Sequence, residues 1–248
     1  MPSLTTVRSI LLSTLLITGL VLNTTKPATA GEISEEKLNT ERSLKWGGEG
    51  LPLDDVLTVR DPLVNSIVGK VTIDRHGEDN STEENTGFLS NIFNAITIRD
   101  PSTPKPGRMA IVTLWGSKEE GCFVTASIHN APKNNDSAND IVPVKMEIGL
   151  GTQVVKLTPV PRSTPKTASG NYTYNDGKNE MSATRYFSEN TFAINGKVAD
   201  LFRNAPKGNA RVRITFANGS TKIFPIGEKN VARWKEIYSY NPTCTAAK

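Results

Sequence analysis

Residues 210–226 read ARVRITFANGSTKIFPI. Val212, Ile214 and Phe216 alternate with polar residues ahead of Asn218-Gly219, and a second short run, Thr221–Ile226, follows. A period of two marks strands with one buried face. Asn-Gly between two such runs predicts a two-residue hairpin turn, because both turn positions favour positive φ. The overlapping stretch 224–244 reads FPIGEKNVARWKEIYSYNPTC, and here the period changes. Val231, Trp234, Ile237 and Tyr238 fall within roughly 120° of one another at the helical repeat. Glu228 suits the start of a helix, and Pro242 stops its continuation. The segment therefore reads as a hairpin feeding an amphipathic helix that needs a sheet to cover.

Upstream, a second helix is expected in residues 192–206. Asn195 can cap it, Val198, Leu201, Phe202 and Ala205 make its stripe, and Pro206 ends it. The rest is short β-rich runs: Val56–Arg60, Ile67–Ile73, Ala95–Arg99, Met109–Trp115, Cys122–His129, Val144–Leu150, Gln153–Thr158, Tyr172–Tyr174 and Ala183–Phe187. Clusters of Gly, Pro, Asn and Asp separate them, which points to a mainly β chain with a sandwich-like antiparallel core and two short helices, the last C-terminal. Residues 74–87, 130–140 and 159–170 read as long loops. The echo of Leu57-Thr-Val-Arg-Asp-Pro62 in Ile96-Thr-Ile-Arg-Asp-Pro101 reads as two strands that stop at proline, or as a duplicated β unit. Three regions result: a leader at 1–30, an arm with a small β region at 31–104, and a sandwich-like domain with a C-terminal helix at 105–248.

The leader has one early charge, Arg8, then an apolar run from Ile10 to Leu22 and a small-x-small site at Ala28-Thr-Ala30. That is the pattern of a cleaved signal peptide, the alternative being an uncleaved anchor. The apolar run is shorter than the roughly 20 residues of a comfortable bilayer span. Export to the periplasm or the outside is thus expected. Cleavage would remove Arg8 and Lys26 and take the formal charge from +4 to +2, with no later membrane-spanning segment. A weakly basic, unclustered balance gives no footprint for nucleic acid. The two cysteines, Cys122 and Cys244, read as one disulfide in an oxidising compartment, with two buried thiols as the alternative.

Little in the sequence points to chemistry. The two histidines, His76 in the acidic loop and His129 at a strand end, have no nucleophile elbow or catalytic-cysteine context. No cofactor or metal site is expected. The acidic loop with Asp74, Glu78, Asp79, Glu83 and Glu84, and the set Asn134, Asn135, Asp136, Asn139 and Asp140, could hold calcium, but read more simply as solvated. Tyr172 and Tyr174 on one strand face, with Tyr186 on a later strand, form the candidate ligand-facing patch; rings that pack the sheet or its rim are the alternative. Trp115 reads as core.

The run from Val154 to Tyr238, through Asn218-Gly-Ser, Phe224-Pro-Ile-Gly227 and Val231-x-x-Trp-Lys-x-Ile-Tyr238, resembles exported cyanobacterial proteins of unknown function. The resemblance implies export and supplies no activity or site. The expected function is a non-catalytic envelope or extracellular module that binds a protein or glycan partner. The alternative is a hydrolase of extracellular or cell-wall glycans using a carboxylate pair that spacing cannot identify.

Overall fold

The computed structural model describes residues 31–38, 51–79, 107–131, 137–161, 163–175 and 180–245. In chain order they form β1 (Gly31–Ser34), β2 (Leu57–Arg60), β3 (Ile67–Asp79), β4 (Gly107–Ser117), β5 (Gly121–Ala131), β6 (Pro143–Leu150) and β7 (Gln153–Leu157). Then come β8 (Lys166–Asn175), β9 (Glu180–Ile194), helix α1 (Gly196–Arg203), β10 (Ala210–Phe216), β11 (Thr221–Ile226) and helix α2 (Glu228–Ser239). Seven strands make one sheet in the order β1-β2-β3-β4-β5-β9-β8, and four make a second in the order β11-β10-β6-β7. The β1–β2 pair is parallel and the other pairings are antiparallel. The chain is mainly β, in two sheets with a C-terminal helix.

The inner faces of the sheets meet in one core. Leu114, Val124, Ile128 and Phe192 come from the larger sheet, and Met146, Ile148, Val212, Ile214 and Phe224 from the smaller. Helices α1 and α2 close that core. α2 buries Val231, Trp234, Ile237 and Tyr238, the four residues its spacing marks. It lies directly on β4: a Cβ at Gly116 would stand 2.4 Å from the Ile237 carbonyl oxygen. Phe202 of α1 packs between Trp234 and Tyr238, with ring centroids 5.0 and 5.4 Å away. Leu201, expected on the buried stripe, is 39% exposed; Ala199 takes its place inside, because α1 meets α2 along a line one residue round from that stripe. A second cluster, with Ile33, Leu38, Leu57, Val71 and Trp115, covers the opposite face of the large sheet.

The hairpin differs from expectation in an instructive way. Its last ladder pair is Thr215↔Thr221, Phe216 N–H donates to Ser220 O at 2.9 Å, and Gly219 N–H donates to Phe216 O at 2.9 Å. Residues 217–219 form a three-residue loop in which Gly219, at φ +83°, takes the left-handed position. A two-residue turn at Asn218-Gly219 would slip β11 by one residue and set Val212 opposite Pro225. The observed register sets Val212 opposite Phe224, inside face to inside face. Burial of Phe224 outweighs the local turn preference, since a one-residue slip turns a whole strand inside out.

All three of the expected loops are partly strand, β5 carrying on through Asn130 and Ala131 into the stretch 130–140. β3 runs through Asp74–Asp79 in register with β4, so the stretch expected to start a loop at residue 74 is held by cross-strand hydrogen bonds that its polar composition concealed. His76 accordingly sits in a strand, its ring 5.6 Å from that of Phe224. β8 likewise begins at Lys166, inside the expected loop 159–170. The run Ala95–Arg99, the second Asp-Pro stop, Glu83, Glu84 and residues 134–136 lie outside the described residues. β1, β2 and β3 share the sheet with β4, so the boundary drawn at residue 104 falls between neighbouring strands.

Candidate functional site

The outer face of the four-stranded sheet is built by simple alternation. In β10, Val212 and Ile214 point inward, so Arg211 and Arg213 point outward and are exposed. Register sets Arg213 opposite Glu147, and Glu147 opposite Lys156 of β7. It also sets Arg211 opposite Gly149, and Gly149 opposite Val154. Lys145 lies one pair further along, opposite Thr215. Four cations thus share a flat surface with one carboxylate. Lys145 Nζ reaches Glu147 Oε1 at 3.2 Å and Arg213 Nη1 reaches Oε2 at 3.3 Å. The Lys145 ammonium, aided by Arg213, holds the Glu147 carboxyl below the usual carboxylate range. Val154 is 61% exposed and Ile223 50%, so solvent reaches the apolar borders of this face. Between Arg211 and Val154 the floor is bare: a Cβ at Gly149 would meet nothing closer than Arg211 O at 3.7 Å. A glycine inside a strand, where packing does not require one, leaves room for a close approach from outside.

Carboxylates come together elsewhere. Asp74 is 8% exposed and accepts the Gly227 N–H at 2.9 Å. Asp54 stands beside it: a Cβ at Gly227 would lie 3.7 Å from Asp74 Oδ2 and 3.9 Å from Asp54 Oδ1. Burial pushes the Asp74 carboxyl up to about 6, against the pull of the Gly227 N–H and with help from the Asp54 charge. Asp74 and Asn209 both serve the start of α2, Asn209 Oδ1 accepting the Glu228 N–H at 2.8 Å. The pair replaces the side-chain cap that Gly227 cannot supply.

On the outer face of the large sheet, Ser127 Oγ donates to Glu189 Oε2 at 2.6 Å, and Lys166 Nζ reaches Glu189 Oε1 at 3.3 Å. This is a buried carboxylate satisfied from two strands. His129, two residues along, is 3% exposed with its ring 5.0 Å from Phe187. Ser127 is thus bonded to an acid rather than to a histidine base, and a serine-hydrolase arrangement needs the latter. Among the described residues, no three His, Cys, Asp or Glu side chains are grouped as metal ligands would be.

The β8–β9 register pairs Tyr172 with Ala183, Tyr174 with Met181 and Tyr186 with Ser169. Positions 172 and 174 therefore share one face of the ribbon, and position 186 lies on the other. Tyr186 is half-buried and packs against the inter-sheet core. Cys122 and Cys244 form a disulfide, with Cα atoms 4.9 Å apart. The cationic face was within reach of sequence: ARVRITF announces outward arginines. The partners on β6 and β7 were not, because their placement depends on long-range register.

No protein-family model, no curated protein and no solved structure matches this chain.

Proposed function

We propose that the chain is an exported, non-catalytic binding module that holds an acidic polysaccharide of the envelope on the open face of its four-stranded sheet. One observation carries this reading: Lys145, Lys156, Arg211 and Arg213 share an uncovered face on which Glu147 is the single opposing charge in the ladder rows. A flat strip of spaced cations suits an extended chain of carboxylates or sulfates. The bare floor at Gly149 lets a sugar ring approach the backbone between Arg211 and Val154. The aliphatic borders at Val154 and Ile223 would contact the apolar faces of such rings. A mature charge of only +2 gives no general excess of cations, which fits a local site better than a general polyanion sink. The leader at 1–30 supports export, and no helix among the described residues is long and apolar enough to cross a membrane.

Binding of purified protein to polygalacturonate, dextran and duplex DNA tests the reading. Binding to the acidic polymer is expected, weakening with salt as counterions are displaced, with dextran left unbound. Lys156→Glu with Arg211→Glu should remove it, while the melting temperature stays close to wild type because both side chains are exposed. Equal binding to dextran, stronger binding to DNA, or acidic-polymer binding that ignores the charge reversal would overturn it.

A further inference from the structure

The β8–β9 hairpin outruns the sheet it belongs to. β9 pairs with β5 only as far as Asn130↔Tyr186, yet its ladder with β8 continues from Gly170↔Arg185 to Asn175↔Glu180. Beyond Tyr186 the two strands form a ribbon that, among the described residues, has no further strand on either edge. Asn171, Thr173, Ser182 and Glu180 share one face of it and are exposed. Thr184 Oγ1 donates across the ribbon to Asn171 Oδ1 at 3.0 Å.

Two-stranded ribbons are marginal in water, and a free edge offers a row of backbone donors and acceptors to any strand of matching length. Edges are normally guarded by charge, proline or a bulge. Residues 170–175 read GNYTYN, with neither charge nor proline, and their ladder shows no register shift. Among the described residues, nothing guards the edge along this stretch.

We propose that the free edge of β8 pairs antiparallel with the same edge of a second copy, giving a two-fold dimer with one continuous sheet. The occupant follows from the segment's own chemistry. Two-fold antiparallel pairing sets GNYTYN against itself, so the lengths match and no like charges face each other. The contact is short, so association depends on concentration. This inference does not rest on the polysaccharide reading, although a dimer would present two cationic faces to one polymer and gain avidity.

Sedimentation of the purified protein over about a hundredfold range of concentration reads the dimer directly. Two variants accompany it. Asn171→Lys with Thr173→Lys puts like charges across any two-fold register. A shortened hairpin, in which Asn-Gly replaces residues 171–184 between the paired Gly170 and Arg185, removes the ribbon. The wild type should approach a dimer mass, the double lysine variant should weaken association about tenfold or more, and the shortened chain should stay monomeric with an unchanged melt. A wild type that is monomeric throughout overturns the proposal, as does a dimer that survives both changes. So does a monomer whose β8 edge binds an extended peptide instead, because the occupant would then be a different strand.

Discussion

Gly116 and Gly149 are both strand glycines, and a missing side chain means different things at each. At Gly116 the Ile237 carbonyl occupies the place of a Cβ, 2.4 Å away. Gly116→Ala should therefore push α2 off β4 and cost about 1–3 kcal/mol, read as a shift in urea midpoint. At Gly149 the nearest obstacle is at 3.7 Å, and φ lies outside the left-handed region. Gly149→Val should raise stability by roughly 0.5–1 kcal/mol, since glycine is costly inside a strand. The same change should lower affinity for an acidic polymer by filling the floor. A stable variant with undiminished binding would show that the floor is not used. Asp74 is a buried carboxyl whose charge state bears on stability. Burial raises its folded value to about 6 from the ordinary 3.8, so between those values the folded chain keeps a proton that the unfolded chain has lost. Stability should fall as pH rises through that window, by a ceiling on the order of 3 kcal/mol. Asp74→Asn keeps an oxygen for the Gly227 N–H and removes the titration. Melts below, within and above the window should show the slope in wild type and a flatter profile in the variant. Parallel profiles would mean that another group carries it.

At the scale of the element, α2 shows which interactions a sequence discloses. Its buried stripe is legible because one period links Val231, Trp234, Ile237 and Tyr238, whatever they pack against. Asn230 is equally buried, yet nothing in its neighbourhood announces this. Its Nδ2 donates to Thr72 Oγ1 at 3.1 Å, and its Oδ1 accepts from Trp234 Nε1 at 3.0 Å. Half of that pattern spans four residues of one helix, but the other half joins positions separated by 158 in the chain. Polar burial of this kind depends on a partner that only the fold brings, and Asp74 escaped reading for the same reason. Asn230→Ala would leave the Trp234 N–H and the Thr72 hydroxyl buried without their partner. A loss of about 2–4 kcal/mol is expected, measurable by urea unfolding. Adding Thr72→Val should recover part of it, because one orphaned group is then gone. If the double variant loses as much stability as the two single changes added together, the two residues are not coupled as this geometry requires.

For the whole molecule, the decisive long-range feature is how the C-terminal tail returns to the start of β5. Two cysteines, Cys122 and Cys244, made that link legible, although the sequence alone left open whether they met. The bridge spans a separation of 122 residues, and its loop takes in the whole four-stranded sheet, β8 and β9 of the larger one, and helices α1 and α2. Asn241 reinforces it, donating from Nδ2 to Ser117 O at 2.7 Å, so the tail is held by more than sulfur. Closing a loop of this length removes enough freedom from the unfolded chain to stabilise the fold by about 5 kcal/mol on the chain-entropy account. Cys122→Ala with Cys244→Ala should therefore leave a folded protein of markedly lower urea midpoint, since the core packing around α2 survives. Its unfolding should also become less dependent on reducing agent than that of the wild type, which loses the same constraint when reduced. A double variant as stable as wild type would mean that Asn241 and the α2 stripe fix the tail unaided. One that fails to fold would mean the two sheets cannot hold together without the link. The expected result lies between, because the bridge acts mainly on the unfolded chain while the packed stripe acts on the folded one.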